Sequence, residues 1–153
     1  MKHRFNPCRR LARDKQGSVL VEFALLAPVL LTLMVGVVQV GLHVQNVNAV
    51  RNLAADGARA AMVEYQRGNL LTAEQIAADI QARGVGPKYN LSLDRLSVAV
   101  ADEVSRIDGI REKSIAITYQ MPNYLAFVDM SPLDIVYERP MFLMPPAAAP
   151  PAP

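Results

Sequence analysis

Glu22 is the residue whose position most needs a chemical explanation. It stands in "GSVLVEF" (residues 17–23), at the head of a run with no Asp, Glu, Lys or Arg from Phe23 to Val44. A carboxylate in a bilayer costs about 2.5–3.5 kcal/mol at mid-span and less toward the interface, so it needs a partner cation or headgroup water. Other reactive groups are sparse. Asp94 and the Asp102-Glu103 pair could take a cation, but they read most simply as solvated charges at strand ends. His3 and His43 are too few and too far apart for a metal centre or a His-based catalytic site. Cys8 is the single cysteine, so no intrachain disulfide can form; no apolar stretch precedes it, which argues against a lipoprotein attachment site. With no Gly-rich phosphate loop and no nucleophile elbow, the sequence points away from catalysis, and no cofactor or metal is expected.

The elements around Glu22 suggest a membrane anchor. A chain of 153 residues has room for one small domain plus a spanning segment. Its net charge of +2 hides an asymmetry. Residues 1–17 carry Lys2, Arg4, Arg9, Arg10, Arg13 and Lys15 against Asp14 alone, a net of +5; the remaining 10 basic and 13 acidic residues give −3. The basic character belongs to the leader, and nothing downstream suggests nucleic-acid binding. The 22 uncharged residues from Phe23 to Val44 exceed the roughly 20 that a helix needs to cross a bilayer. Basic residues stay on the cytoplasmic side, which predicts a cytoplasmic N-terminus and an outer C-terminal domain, in the periplasm of a bacterial inner membrane. Pro28 is tolerable in such a helix, with a slight kink. A cleavable secretory signal fits less well, because its apolar core spans about 7–15 residues and ends at an A-x-A-like site. Here the run is longer, and no such site follows it promptly; Arg9-Arg10 matches a twin-arginine signal only in the pair itself.

A short basic leader ending in glycine, a small residue, then glutamate and an aromatic at the fifth and sixth places resembles a type IV prepilin processing site. The resemblance implies cleavage between Gly17 and Ser18 by a prepilin peptidase, with Glu22 and Phe23 as assembly and recognition residues. The physics is consistent with it. Cleavage would create an ammonium at Ser18, one helical turn from Glu22 or beside the Glu22 of a neighbouring subunit, and pairing the two in low dielectric would align helices. The carboxylate also suits the positive end of the helix dipole. The alternative is an interfacial Glu that simply reaches headgroup water. The likeness extends to "GSVLVEFALLAPVLLTLMVGVVQVG" followed by "NAVRNLAADGARAA", which is similar to the TadE-like pseudopilins of tight-adherence (Flp) pilus systems. The shared features are the G-x4-E-F start, a proline inside the apolar helix, and an A-x-x-G-A-R-type stretch, here Ala54 to Arg59. This resemblance implies a structural pilus component whose partners are the prepilin peptidase, the inner-membrane assembly platform, the major Flp pilin and a sibling pseudopilin.

Beyond the span (residues 18–44), the helix should continue over 45–66. Val47, Val50, Ala54, Ala58, Ala61 and Tyr65 recur at three- and four-residue spacing and form one apolar face. Ala54, Gly57, Ala58 and Ala61 make that face small enough for close helix packing, either against another subunit or against the chain's own domain. Gly57 costs an isolated helix about 1 kcal/mol relative to Ala. Gly68-Asn69 should end this helix. Thr72 and Gln75 form a capping box for a second helix running to about Arg83 and stopped by Gly84 and Pro87. Alternation predicts strands over 96–104 and 114–121, with a turn at Asp108-Gly109. A third strand is expected over 134–144, held to an edge or bulge by Pro140. Residues 122–133 read as a loop, and "PPAAAPPAP" (145–153) as an extended, disordered tail. The expected fold is α+β: a long N-terminal transmembrane helix continuing into a small periplasmic domain (67–144) with a short helix and a roughly three-stranded antiparallel sheet. The expected function is a pseudopilin or minor pilin. The rival is a membrane-anchored adaptor that keeps its leader. An enzyme with an outward catalytic domain fits least, because its catalytic residues are missing.

Overall fold

The structure, a computed structural model, describes residues 15–124 and 134–145, with side chains from Gly17 onward. Most of the basic leader, residues 125–133 of the expected loop and the tail from residue 146 lie outside the described residues.

Helix α1 runs from Lys15 to Gln66, 52 residues, or about 78 Å at 1.5 Å per residue. It begins three residues before Ser18, so the helix already includes the end of the leader. Pro28 lies inside it without ending it. The hydroxyl of Thr32 donates to the Pro28 carbonyl at 2.8 Å, back-bonding one turn along the same helix. The helix stops at Gly68, whose φ of +84° is the left-handed conformation that glycine adopts without penalty. The Gly68 and Asn69 N–H groups donate to the carbonyls of Tyr65 (3.0 Å) and Glu64 (2.9 Å), satisfying acceptors that the helix end would leave open.

Helix α2 spans Ala73–Val85. The capping box forms as expected: Gln75 N–H donates to Thr72 Oγ1 at 3.3 Å, and Thr72 N–H donates to Gln75 Oε1 at 2.9 Å. Its C-terminal end differs from expectation. Gly84 is not a stop signal but a buried residue of the last turn, and the cap falls on Gly86, whose N–H donates to the Arg83 carbonyl at 3.0 Å. A Cβ at Gly84 would come within 2.5 Å of Leu96 Cδ2 and 2.9 Å of Leu53 Cδ2. Glycine is there so that α2 can approach α1 and the sheet, not to break the helix.

A short 3-10 turn, Leu93–Arg95, leads into β1 (Leu96–Glu103), followed by β2 (Arg111–Tyr119) and β3 (Ile135–Leu143). The three form an antiparallel sheet in the order β1-β2-β3, with Val98 opposite Ile117 and Ile117 opposite Tyr137. Pro140 falls on the edge strand β3, opposite Ser114. Strand β2 starts three residues before the expected Ser114. Arg111, Glu112 and Lys113 look too charged for a strand, yet Glu112 and Lys113 are buried. Each has a partner. Lys113 lies opposite Asp102, with Nζ 2.5 Å from Oδ1. Glu112 accepts from the Arg106 guanidinium (2.6 and 2.9 Å) and from the Arg106 N–H (2.9 Å). These contacts hold its carboxyl below the usual carboxylate range, the side-chain hydrogen bond from Arg106 contributing most.

The core lies between the two helices and one face of the sheet. Val50, Leu53, Ile80, Ile115 and Ile117 are fully buried there, each stabilising the fold by about 1.5–3 kcal/mol relative to leaving it in water. The opposite sheet face carries small residues, Ser97, Ala99 and Ala101 on β1, and is open.

Candidate functional site

The residues singled out from the sequence fall into two groups along α1. Gly17, Ser18, Glu22 and Phe23 lie on its first turns, well away from the C-terminal domain. A Cβ added at Gly17 would meet no neighbouring group within 4 Å, and Phe23 is 68% exposed. Ser18 and Glu22 are four residues apart on one helix and so share a face. From Val19 to Val38 the large apolar side chains (Leu25, Leu30 and Val37 among them) are exposed, apart from the half-buried Val35. A helix apolar on all sides and uncovered by its own domain needs another apolar environment. Among the described residues, α1 alone is long and apolar enough to cross a membrane.

The second group faces inward. Ala54, Gly57 and Ala61 are buried against the chain's own domain, and Ala58 is half-buried beside them. Of the two packing options that the sequence left open, the structure shows the intramolecular one. A Cβ on Gly57 would meet Ile80 Cγ1 at 2.5 Å and Cδ1 at 2.8 Å, so the glycine sets how closely α2 lies on α1. Asp56, in the same stretch, accepts from the Lys88 ammonium and from the Tyr89 hydroxyl (2.6 Å). Its carboxyl is held below the ordinary range, by Lys88 first and Tyr89 second, and burial pushes the Tyr89 hydroxyl up. This contact ties the turn after α2 to α1. Arg59, which closes the A-x-x-G-A-R-type stretch, is exposed. It lines an open groove between the helices with Glu64, Asp79 and Arg83, where the other charges are already paired: Arg83 with Asp79 (2.7 Å) and Arg67 with Glu64 (2.9 Å).

Sequence reasoning missed Gln39. It sits within the uncharged run, yet it is only 6% exposed. Its Nε2 donates to the Pro122 carbonyl at 2.9 Å, and its Oε1 accepts from the Tyr124 N–H at 3.1 Å. Two turns further on, Asn46 Nδ2 donates to Met121 Sδ at 3.1 Å. The segment after β2 is therefore fastened along α1 from Asn46 down to Gln39. One turn beyond Gln39, His43 Nδ1 is buried with no hydrogen-bond partner among the described residues. It lines a cleft with Asp134, Tyr137 and Arg51, whose guanidinium lies 5.9 Å from the Tyr137 ring centroid.

The candidate cation ligands are not brought together. Asp94 lies 3.7 Å from Arg95, Asp102 pairs with Lys113, and Glu103 accepts from Ser114. Among the described residues, no three His, Cys, Asp or Glu side chains are grouped to hold a metal. The structure shows an α+β domain carried on the C-terminal half of α1, whose N-terminal half is long and apolar enough to suit a bilayer as a single-pass anchor. Residues 17–59, a little over a quarter of the chain, match the family described as TadE-like protein. No curated protein and no solved structure matches the chain.

Proposed function

We propose that the chain is a pseudopilin of the tight-adherence pilus machinery, processed by a prepilin peptidase between Gly17 and Ser18 and assembled through its N-terminal helix. The observation that carries this reading is that the matched segment starts at Gly17 itself and covers the exposed apolar half of α1 together with the glycine-alanine stretch that seats the outer domain. In this account the leader holds the processing site at the cytoplasmic face of the inner membrane, and residues 67–144 lie in the periplasm. The new Ser18 ammonium pairs with Glu22, in the same subunit or the next. Phe23 and the uncovered apolar surface down to Val38 provide the contacts to the assembly platform, the major Flp pilin and a sibling pseudopilin. The intramolecular burial of Ala54, Gly57 and Ala61 supports this division, because it leaves the membrane half of α1 as the free apolar surface for other subunits.

The deciding experiment is mass spectrometry of the membrane-extracted chain after co-expression with the peptidase. The expected product lacks 17 residues, begins at Ser18 and has a net charge of −3 in place of +2. A bulky residue at Gly17 should block cleavage and leave insertion intact. An intact leader in a piliated strain would overturn the reading in favour of an anchored adaptor.

A further inference from the structure

Gln39 also bears on where the bilayer ends. Its side-chain amide satisfies one carbonyl and one N–H of the segment after β2, so the backbone at Pro122 and Tyr124 lies against α1 at that level. Residues 120–124 are irregular, neither helix nor strand. Irregular backbone exposed to lipid does not occur in the hydrocarbon region, because its remaining polar groups have no water to bond. The apolar slab must therefore stop short of Gln39, although the uncharged stretch continues past Val44 to Val50.

The length of helix left over fits. Ser18 to Val38 is 21 residues, about 31 Å at 1.5 Å per residue, against a hydrocarbon core of about 30 Å. Below Gln39 most of the helix surface is uncovered, Val37 being 75% and Val38 54% exposed, with Val35 and Gly36 half-buried on the face of Gln39. Tyr124, whose N–H is held by Gln39, is 55% exposed. Tyrosine is a residue that membrane–water interfaces favour.

We infer that the outer boundary of the hydrocarbon lies at Val38–Gln39, and that the end of the outer domain formed by residues 121–124 rests on the lipid headgroup surface with Tyr124 as its interfacial anchor. The inference rests on the single-pass anchoring but not on leader cleavage. It also moves Glu22. Measured from Val38, Glu22 is 16 residues inward, about 24 Å, and thus inside the far edge of the slab. Measured from Val44 it would be 22 residues, about 33 Å, and outside the slab. Only the first placement obliges the carboxylate to find a partner.

The test uses the full chain with Cys8→Ser, reconstituted in vesicles of equimolar phosphatidylcholine and phosphatidylglycerol. Single spin labels go in through Met34→Cys, Val37→Cys, Val40→Cys and Val44→Cys, and their accessibility to oxygen and to a water-soluble nickel chelate is compared. Labels at 34 and 37 should favour oxygen, and those at 40 and 44 the chelate. Separately, Tyr124→Trp supplies the only tryptophan of the chain. Its emission should be quenched more by lipids brominated near the headgroup than by lipids brominated near the bilayer centre. Adding Gln39→Leu should remove most of that quenching while the label at 34 stays in hydrocarbon. Labels at 40 and 44 as oxygen-rich as that at 34 would overturn the boundary, and an unquenched, water-like emission would overturn the surface contact. Chelate access at all four positions would instead overturn the anchoring itself, a result distinct from either.

Discussion

Replacing Gly57 by alanine should destabilise the outer domain, and the same replacement should stabilise it once Ile80 has been cut back. Alanine raises helix propensity at an interior position by about 1 kcal/mol relative to glycine. Against that, the added Cβ would lie 2.5 Å from Ile80 Cγ1 and 2.8 Å from Cδ1, inside any real carbon–carbon contact. Overpacking of this kind costs about 1–3 kcal/mol, so the net loss is about 0–2 kcal/mol. Ile80 is fully buried, and Ile80→Ala alone should cost about 2–5 kcal/mol. That truncation removes both clashing atoms and leaves Ile80 Cβ at 3.6 Å from the new methyl, an ordinary contact. In that background Gly57→Ala keeps its helix gain and loses its clash, so its effect changes sign. The expected coupling in the double-mutant cycle is about 1–3 kcal/mol. Urea unfolding of the four full-length variants in detergent micelles, followed by circular dichroism and tyrosine fluorescence, measures it. Equal costs of Gly57→Ala in the two backgrounds would refute close approach of α2 as the reason for the glycine.

Glu22→Ala and Glu22→Gln should leave membrane insertion unchanged or slightly improved, since each removes a charge from an apolar segment. If the proposed cleavage frees the Ser18 amine, both should lower recovery of the chain with pilus assembly partners in pull-down from membranes, because that ammonium would then lie unpaired in low dielectric. Normal assembly by both would leave Glu22 as an interfacial residue and nothing more. At the β1–β2 turn, the lowered Glu112 pKa makes its contact with Arg106 pH-dependent. The contribution is present above the unfolded value of about 4.3 and is lost as pH falls through the folded value. Protection of the Arg106 amide, corrected for intrinsic exchange, should be lost as pH falls through the lowered folded-state value of Glu112 and lose its pH dependence in Glu112→Gln. Glu103, opposite Glu112 in the register, adds like charge and should not reverse that direction.

Much of this architecture could be read from the sequence because its signals are local. The Thr72–Gln75 box needs four consecutive residues, and the alternation of β1 is visible within eight. The misreadings share one cause: a distant partner reversed the local signal. Gly84 has the composition of a stop, but Leu53 and Leu96 fill the space where its side chain would be, so it stays helical. Arg111-Glu112-Lys113 fell in the connection between the expected strands, too charged for a strand until Asp102 and Arg106 neutralise the buried pair. Gln39 draws no attention in an apolar run, because its partners lie 83 and 85 residues away. Around Gly17 and Glu22 the motif was legible because it is confined to seven consecutive residues.

The antiparallel contact between α1 and α2 has a mechanical consequence. Leu53 meets Gly84, and Gly57 meets Ile80, so successive turns of α1 register with successive turns of α2 in the opposite sense. A pull along the α1 axis, such as extraction of the helix from lipid would apply, loads these contacts side by side in shear rather than peeling them apart one after another. The Lys88–Asp56 and Gln39–Pro122 ties are loaded with them. The domain should therefore travel with its helix as one stiff body, and a tug on the buried end would be felt at the sheet without first being spent in slack.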